Sequence, residues 1–160
     1  MLAQHILVPL DGSTASQDVL AYATDLAQHL DARVTLLHVI QMPLLASGTE
    51  PGLGTWLEAY LDQVEADMWQ RLAASAQQVR QTGVVCNAAV LPGVPFQQIL
   101  DVANEKGVDL IVMGTRGHTG LQHFLLGSIA EKVVRLAPCP VLVVRESDAT
   151  HAEADGGTRL

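Results

Sequence analysis

Apolar positions along this chain fall into two alternating kinds of run. Ile6-Leu-Val8, Val34 to Val39, Leu110-Ile-Val-Met113 and Val141-Leu-Val-Val144 are short and nearly continuous. Strands covered on both faces, as in a parallel sheet, read this way. Between them, Val19, Leu20, Ala23, Leu26, Ala27 and Leu30 keep helical spacing, and so do Leu57, Leu61, Val64, Met68, Leu72 and Val79. The pattern predicts strands over 4–10, 33–40, 84–91, 109–113 and 141–145, the third alternating more loosely. It predicts a first helix capped by Ser13 and closed at Asp31-Ala32, and a long second one from about Thr55 to Thr82, stopped by Gly83. After a turn at Pro92-Gly93, a short helix runs from Pro95 to Lys106, and the last runs from Ser128 to Leu136, stopped by Pro138-Cys-Pro140.

Strand and helix therefore alternate four times before a closing strand, which gives a parallel sheet with helices on both faces. Such sheets bind ligands beyond the carboxyl ends of their strands, where the strand order reverses. If the first and fourth strands are neighbours there, the turn Pro9 to Ser13 and the loop Gly114 to Gly117 face one crevice.

That second loop organises the chain. Gly114-Thr-Arg-Gly117 follows a strand directly, and Gly127-Ser128 precedes the last helix. Ser128 with Glu131 three residues on reads as a capping box. Unpaired N–H groups at a helix start, with the helix dipole behind them, bind phosphate. The glycines alone are also compatible with tight turns, but spacing and context favour a ligand loop for nucleotide phosphates. Neither Gly-x4-Gly-Lys-Ser/Thr nor Gly-x-Gly-x-x-Gly is present, so P-loop hydrolysis and dinucleotide binding are not indicated. Arg116 reads equally as a phosphate contact or a solvated loop residue. Asp11, at the end of a buried strand, is either a turn former or a site residue that accepts from ribose hydroxyls or binds magnesium through water.

Composition narrows the partners. Of 160 residues 49% are hydrophobic, enough for one domain with a substantial core. The net charge is −8 and the only lysines are Lys106 and Lys132, so no basic run exists to neutralise a nucleic acid or an anionic membrane. A single nucleotide needs less, because backbone N–H groups do most of the holding. Cys86 and Cys139 match no zinc or disulfide spacing and read as reduced, buried, small apolar residues of a cytoplasmic protein. No signal peptide or membrane span is indicated, since no apolar run approaches about 18 residues. The histidines at 5, 29, 38, 118, 123 and 151 read as surface residues; His118 and His123 flank the glycine loop without a recognised ligand spacing. Residues 41–54 form a long irregular connection, and 146–160 read as an acidic, disordered tail.

With these residues in place, residues 4–145 resemble the universal stress protein family. The family's opening signature stands here as Ile6-Leu-Val-Pro-Leu-Asp-Gly-Ser13. Its nucleotide motif, Gly-x2-Gly-x9-Gly-Ser/Thr, is met by Gly114, Gly117, Gly127 and Ser128, and Pro138-Cys-Pro-Val-Leu-Val-Val144 is similar to its closing strand. The resemblance implies one domain over 1–145. Its fold would be a Rossmann-like, adenine nucleotide alpha-hydrolase-like open sheet of five parallel strands in the order 3-2-1-4-5. It implies ATP binding with Mg2+, or ADP or AMP in its place, and a homodimer through strand 141–145. Carried over by position, Pro9 and Asp11 line the adenosine and ribose, and the Val39 backbone meets the adenine edge. Met113, Gly114, Arg116, Gly117, His118 and Gly120 enclose ribose and phosphates, and Gly127, Ser128 and Ile129 hold the distal phosphates. The expected role is a nucleotide-dependent regulatory module in the stress response. A slow ATPase or self-phosphorylating enzyme, and a dimeric interaction module with incidental nucleotide, are the alternatives.

Overall fold

The computed structural model describes residues 3–13, 16–41, 53–115 and 126–145. Five strands, β1 (His5–Pro9), β2 (Arg33–Ile40), β3 (Cys86–Pro92), β4 (Leu110–Gly114) and β5 (Val141–Val144), form one sheet in the order β3-β2-β1-β4-β5, and every neighbouring pair is parallel. Four helices connect them: α1 (Ser16–Leu30), α2 (Leu53–Gln81), α3 (Pro95–Glu105) and α4 (Ser128–Leu136).

Successive strand residues point to opposite faces, and here both faces are covered. Ile6, Val8, Val34, Leu36 and Val112 pack with Val19, Leu20, Ala23 and Ala27 of α1 and Leu72, Ala76 and Val79 of α2. On the other face, Leu7, Leu37, Ile111 and Met113 pack with Ile99, Val102 and Ala103 of α3 and Ala130 and Val133 of α4. This two-sided burial explains why the central strands read as unbroken apolar runs. Pro92 ends β3 instead of starting the turn, which an edge strand tolerates, and Gly93 alone makes the turn at φ +143°. Asp31 closes α1 in the left-handed region at φ +53°, a conformation its short side chain tolerates.

The long second helix departs from expectation. Its apolar stripe predicts burial from Leu57 to Val79, yet the fully buried positions are Leu72, Ala76 and Val79 in its last third. Leu61, Val64 and Met68 are half-buried, Trp56, Tyr60 and Trp69 are exposed, and the side chain of Leu57 lies outside the described residues. Length is the cause. Twenty-nine helical residues span about 44 Å, roughly twice the strands beneath them, so the amino-terminal half overhangs the sheet.

The cysteines are both free; Cys86 is buried but Cys139 only half-buried. Burial pushes the Cys86 thiol up to about 11, so it stays protonated at neutral pH. The surface reading of the histidines fails at two positions. His5 is 4% exposed, with Nε2 2.8 Å from the Thr35 hydroxyl, and half-buried His38 turns Nδ1 toward the Leu10 carbonyl at 2.8 Å. Both are β-strand residues whose neighbours close over them; His29 on α1 is exposed as expected. His118, His123 and His151 lie outside the described residues.

Burial, then the Arg33 charge, hold the His5 imidazole below its ordinary value of 6.5; the Lys106 carbonyl and then Asp109 act against this, and the Lys106 charge adds least to it. The unfolded chain thus takes up a proton that the folded chain resists. Stability from this residue is fully present above about pH 6.5 and is lost as pH falls through the lowered folded value. Urea midpoints at about pH 5 and about pH 7 should differ less in His5→Gln than in the parent chain. An unchanged difference would assign the acid sensitivity to other groups.

Candidate functional site

The candidate site lies where the two central strands come apart. β1 pairs with β4 at Ile6–Leu110 and Leu7–Ile111 and no further, whereas β1 stays paired with β2 to Pro9–Leu37 and β4 with β5 to Gly114–Val144. The carboxyl ends of β1 and β4 are thereby released from each other at the point where strand order reverses.

On the β1 side, the chain leaves the sheet through a hydrogen-bonded turn. The Leu10 amide donates to the Leu37 carbonyl at 2.8 Å, and the Leu10 carbonyl faces His38 Nδ1. Gly12 then takes φ +82°, which favours glycine. Asp11 Oδ1 accepts from the Ser13 amide at 2.9 Å and from the Ser16 hydroxyl at 2.6 Å. The half-buried carboxylate is thus compensated by donors at the start of α1, where the helix dipole also favours negative charge. Ser13, the expected cap, is separated from the described start of α1 by residues 14 and 15, which lie outside the described residues. The described helix starts at Ser16, whose amide donates to the Ser13 carbonyl at 3.2 Å. Met68 of α2 overlies this turn: a Cβ added at Gly12 would lie 3.8 Å from its Sδ.

On the β4 side, Gly114 is the last paired residue of the strand. The Thr115 amide donates to the Val144 carbonyl at 3.2 Å, and the Thr115 carbonyl accepts from the Gly127 amide at 2.8 Å. The two ends of the glycine motif are therefore tied together. Arg116, Gly117, His118 and Gly120, between them, lie outside the described residues.

The capping box does not form. Gly127 is the residue that caps α4, at φ −58° and ψ 150°, no side chain among the described residues caps the helix, and Ser128 is its exposed first residue. The Glu131 amide donates to the Gly127 carbonyl at 2.8 Å, and the Glu131 carboxylate instead lies 3.8 Å from Arg135. A shift of one position decides this: Ser128 is already helical, so its hydroxyl cannot reach back as a cap does. The start of α4 presents backbone, without a serine cap over it.

Among the expected site residues, Pro9, Asp11, Met113 and Gly114 stand at the ends of neighbouring strands, Val39 stands near the end of β2, and Gly127 is bonded to Thr115. Met113 is buried and Ile129 half-buried against the α3–α4 core, and Val39 is half-buried on that face, so backbone groups are what these positions offer. Two residues were not legible as part of the site, Ser16 and His38, which hold the Asp11 turn; Thr115 lay within the expected loop, but not as the residue that joins its ends. For Ser16 a signal existed, a hydroxyl residue five positions after Asp11 at a helix start.

A family model, the universal stress protein family, matches residues 3–145. The chain belongs to the universal stress protein family. A universal stress protein of Methanocaldococcus jannaschii is 36% identical over 146 residues, covering 91% of this chain and 84% of that protein. The structure of universal stress protein UspA from Lactobacillus plantarum superposes with a TM-score of 0.78 at 30% identity, over 89% of this chain and 97% of that one. A universal stress protein from Archaeoglobus fulgidus in complex with dAMP shares the fold, with a TM-score of 0.59 at 23% identity over 89% of this chain and 98% of that one. Like its universal stress protein relatives, the chain has the doubly wound parallel sheet that the resemblance implies. Among the described residues no His, Cys, Asp and Glu group could hold a metal ion, and no helix is long and apolar enough to cross a membrane.

Proposed function

We propose that this universal stress protein binds ATP, with ADP or AMP as the other occupants, and acts as a cytoplasmic regulatory module in the stress response. One observation carries the reading. Gly127 lies at backbone angles open to any residue, and Gly114 ends a strand in paired, extended backbone. Neither glycine is needed to make a turn, so what they supply is the absence of a side chain beside the tied loop ends. The dAMP complex of the Archaeoglobus relative supports an adenine nucleotide as the occupant.

In this reading Asp11, held by Ser13 and Ser16, accepts from ribose hydroxyls, and the Val39 backbone meets the adenine edge. The backbone of Gly114, Gly127, Ser128 and Ile129 admits the phosphates at the start of α4, with Arg116, Gly117, His118 and Gly120 supplied by the intervening loop. Magnesium, when bound, neutralises phosphate charge. Asp11 would meet it through water, because one carboxylate together with phosphate oxygens suits that ion. The motif contains no lysine, so turnover is expected far below ordinary enzyme rates. A homodimer through strand 141–145 suits an edge strand of four half-buried residues next to exposed Val134 and Leu136 on α4.

Protein purified without added nucleotide, heat-denatured and analysed by mass spectrometry is expected to release ATP in near-stoichiometric amount. ADP or AMP would shift weight toward hydrolysis or another resting ligand. An empty protein that also fails to bind added ATP would leave an interaction module as the surviving reading.

A further inference from the structure

A second polar cavity opens at the opposite, amino-terminal end of the sheet, on the face that carries α3 and α4. Its volume is about 360 Å³, within the range of roughly 300–1,000 Å³ typical of small-molecule sites, and His5, Arg33, Thr35, Asn87, Ala89 and Lys106 line it. Arg33 begins the strand on which Val39 sits six residues later, so the cavity and the nucleotide crevice are about 20 Å apart.

The charges here are unusual for so acidic a chain. Two cations, Arg33 and Lys106, line the cavity, and among the described residues no carboxylate does. Neither cation makes an ion pair among the described residues. The Asp109 carboxylate acts on His5 from outside the cavity, and its Oδ2 accepts from the amides of Gln4 and His5 at 2.9 and 3.0 Å.

Arg33 does have one neighbour, and it is a contested one. Its Nη2 lies 3.2 Å from His5 Nδ1, which also lies 3.2 Å from the Lys106 carbonyl oxygen. A guanidinium only donates and a carbonyl only accepts, so a neutral imidazole nitrogen can serve one of them at a time. Protonating the ring would set a third positive charge between Arg33 and Lys106. The other ring nitrogen is engaged by the Thr35 hydroxyl, inside the fold. Arg33 is left with most of its donor fork directed at no acceptor among the described residues, and Asn87, paired in register with Thr35, adds an exposed amide to the cavity lining.

We propose that this cavity binds a dianion of the phosphate class, inorganic phosphate or a small phosphomonoester. Such an anion supplies the acceptors that Arg33, Lys106 and Asn87 lack among the described residues. Arg33 offers two parallel N–H groups, Lys106 a mobile ammonium, and Asn87 an amide. Two positive charges match two negative ones, and the planar fork selects tetrahedral oxyanions over halide ions.

The test is a titration of the isotope-labelled full chain with inorganic phosphate, followed by NMR at single residues, because phosphate could also enter the nucleotide crevice. Millimolar phosphate is expected to shift the Asn87 and Lys106 amides and the His5 ring. Both Arg33→Gln and Lys106→Gln, at exposed positions that leave the core intact, should weaken that response at least tenfold, about 1.4 kcal/mol. Gly127→Val should leave it unchanged. A parallel titration with glycerol phosphate separates the two sources: tighter binding than inorganic phosphate identifies a phosphomonoester, and equal binding identifies the free ion. Absence of local shifts, or shifts that persist in Arg33→Gln or follow chloride equally, would overturn the proposal.

Discussion

Replacing Gly127 with valine is expected to abolish nucleotide retention while costing the nucleotide-free fold only about 1 kcal/mol. At φ −58° and ψ 150°, Gly127 occupies a region that valine adopts without strain. Its amide bond to the Thr115 carbonyl survives the change, since only a side chain is added. The modest folding cost is that of a poorer residue at the helix cap. The ligand, in contrast, would meet a branched side chain where the two ends of the motif close on each other. A loss of at least 100-fold in ATP affinity, about 2.7 kcal/mol, is the expected size. Isothermal titration with ATP measures the first effect, and urea unfolding of nucleotide-free protein the second. If affinity survives, the glycine serves something other than close approach of phosphate. If the fold collapses instead, the backbone needs glycine for a reason outside its own angles.

Much of the fold was legible because its signal is collective. Both faces of Ile6-Leu7-Val8 are buried, so an uninterrupted apolar run on the first strand could mean only a strand covered twice. The order β3-β2-β1-β4-β5 came from the resemblance, since alternation alone does not choose among parallel orders. What escaped depends on single positions or on lengths. One residue separates Gly127 from Ser128, and that offset dissolved the capping box. Helical periodicity over 57–79 was real, but periodicity does not say where the sheet beneath a helix ends, so the half-burial of Leu61, Val64 and Met68 could not be foreseen. His5 looked like a surface histidine because its partners are distant in sequence: Thr35 lies 30 positions away and the Lys106 carbonyl 101. The Asp11 turn was partly readable, as Asp-Gly-Ser marks it, while the closing hydroxyl of Ser16 required the start of α1 to be placed.

Leu36→Ala is expected to be the most damaging substitution for the fold, at about 2–5 kcal/mol. Leu36 lies in β2, fully buried between β1 and β3, with α1 and α2 packed over it. Removing its branched end leaves a cavity lined by strands paired on both sides, which cannot close in without breaking their register. Against a typical total of about 5–15 kcal/mol, this is a large fraction, equivalent to roughly 5–20 °C in Tm for a domain of this size. Trp56→Ala removes a larger side chain, yet Trp56 is 59% exposed and stacks on exposed Tyr60 at 5.5 Å, so its cost should stay near about 0.5 kcal/mol. Thermal melts with and without ATP then separate folding from binding. A ligand bound to the folded chain adds about 2.7 kcal/mol at 100 times its Kd, whatever the starting stability. Leu36→Ala should therefore melt low but keep the upward shift with ATP, because the crevice is made by the ends of β1 and β4 and not by the middle of β2. Gly127→Val should melt near the parent and lose the shift. If both variants lost it, the core beneath β2 and the nucleotide crevice would be one cooperative unit, and the long α2, which packs on Leu36 and places Met68 over Gly12, would be the element that joins them.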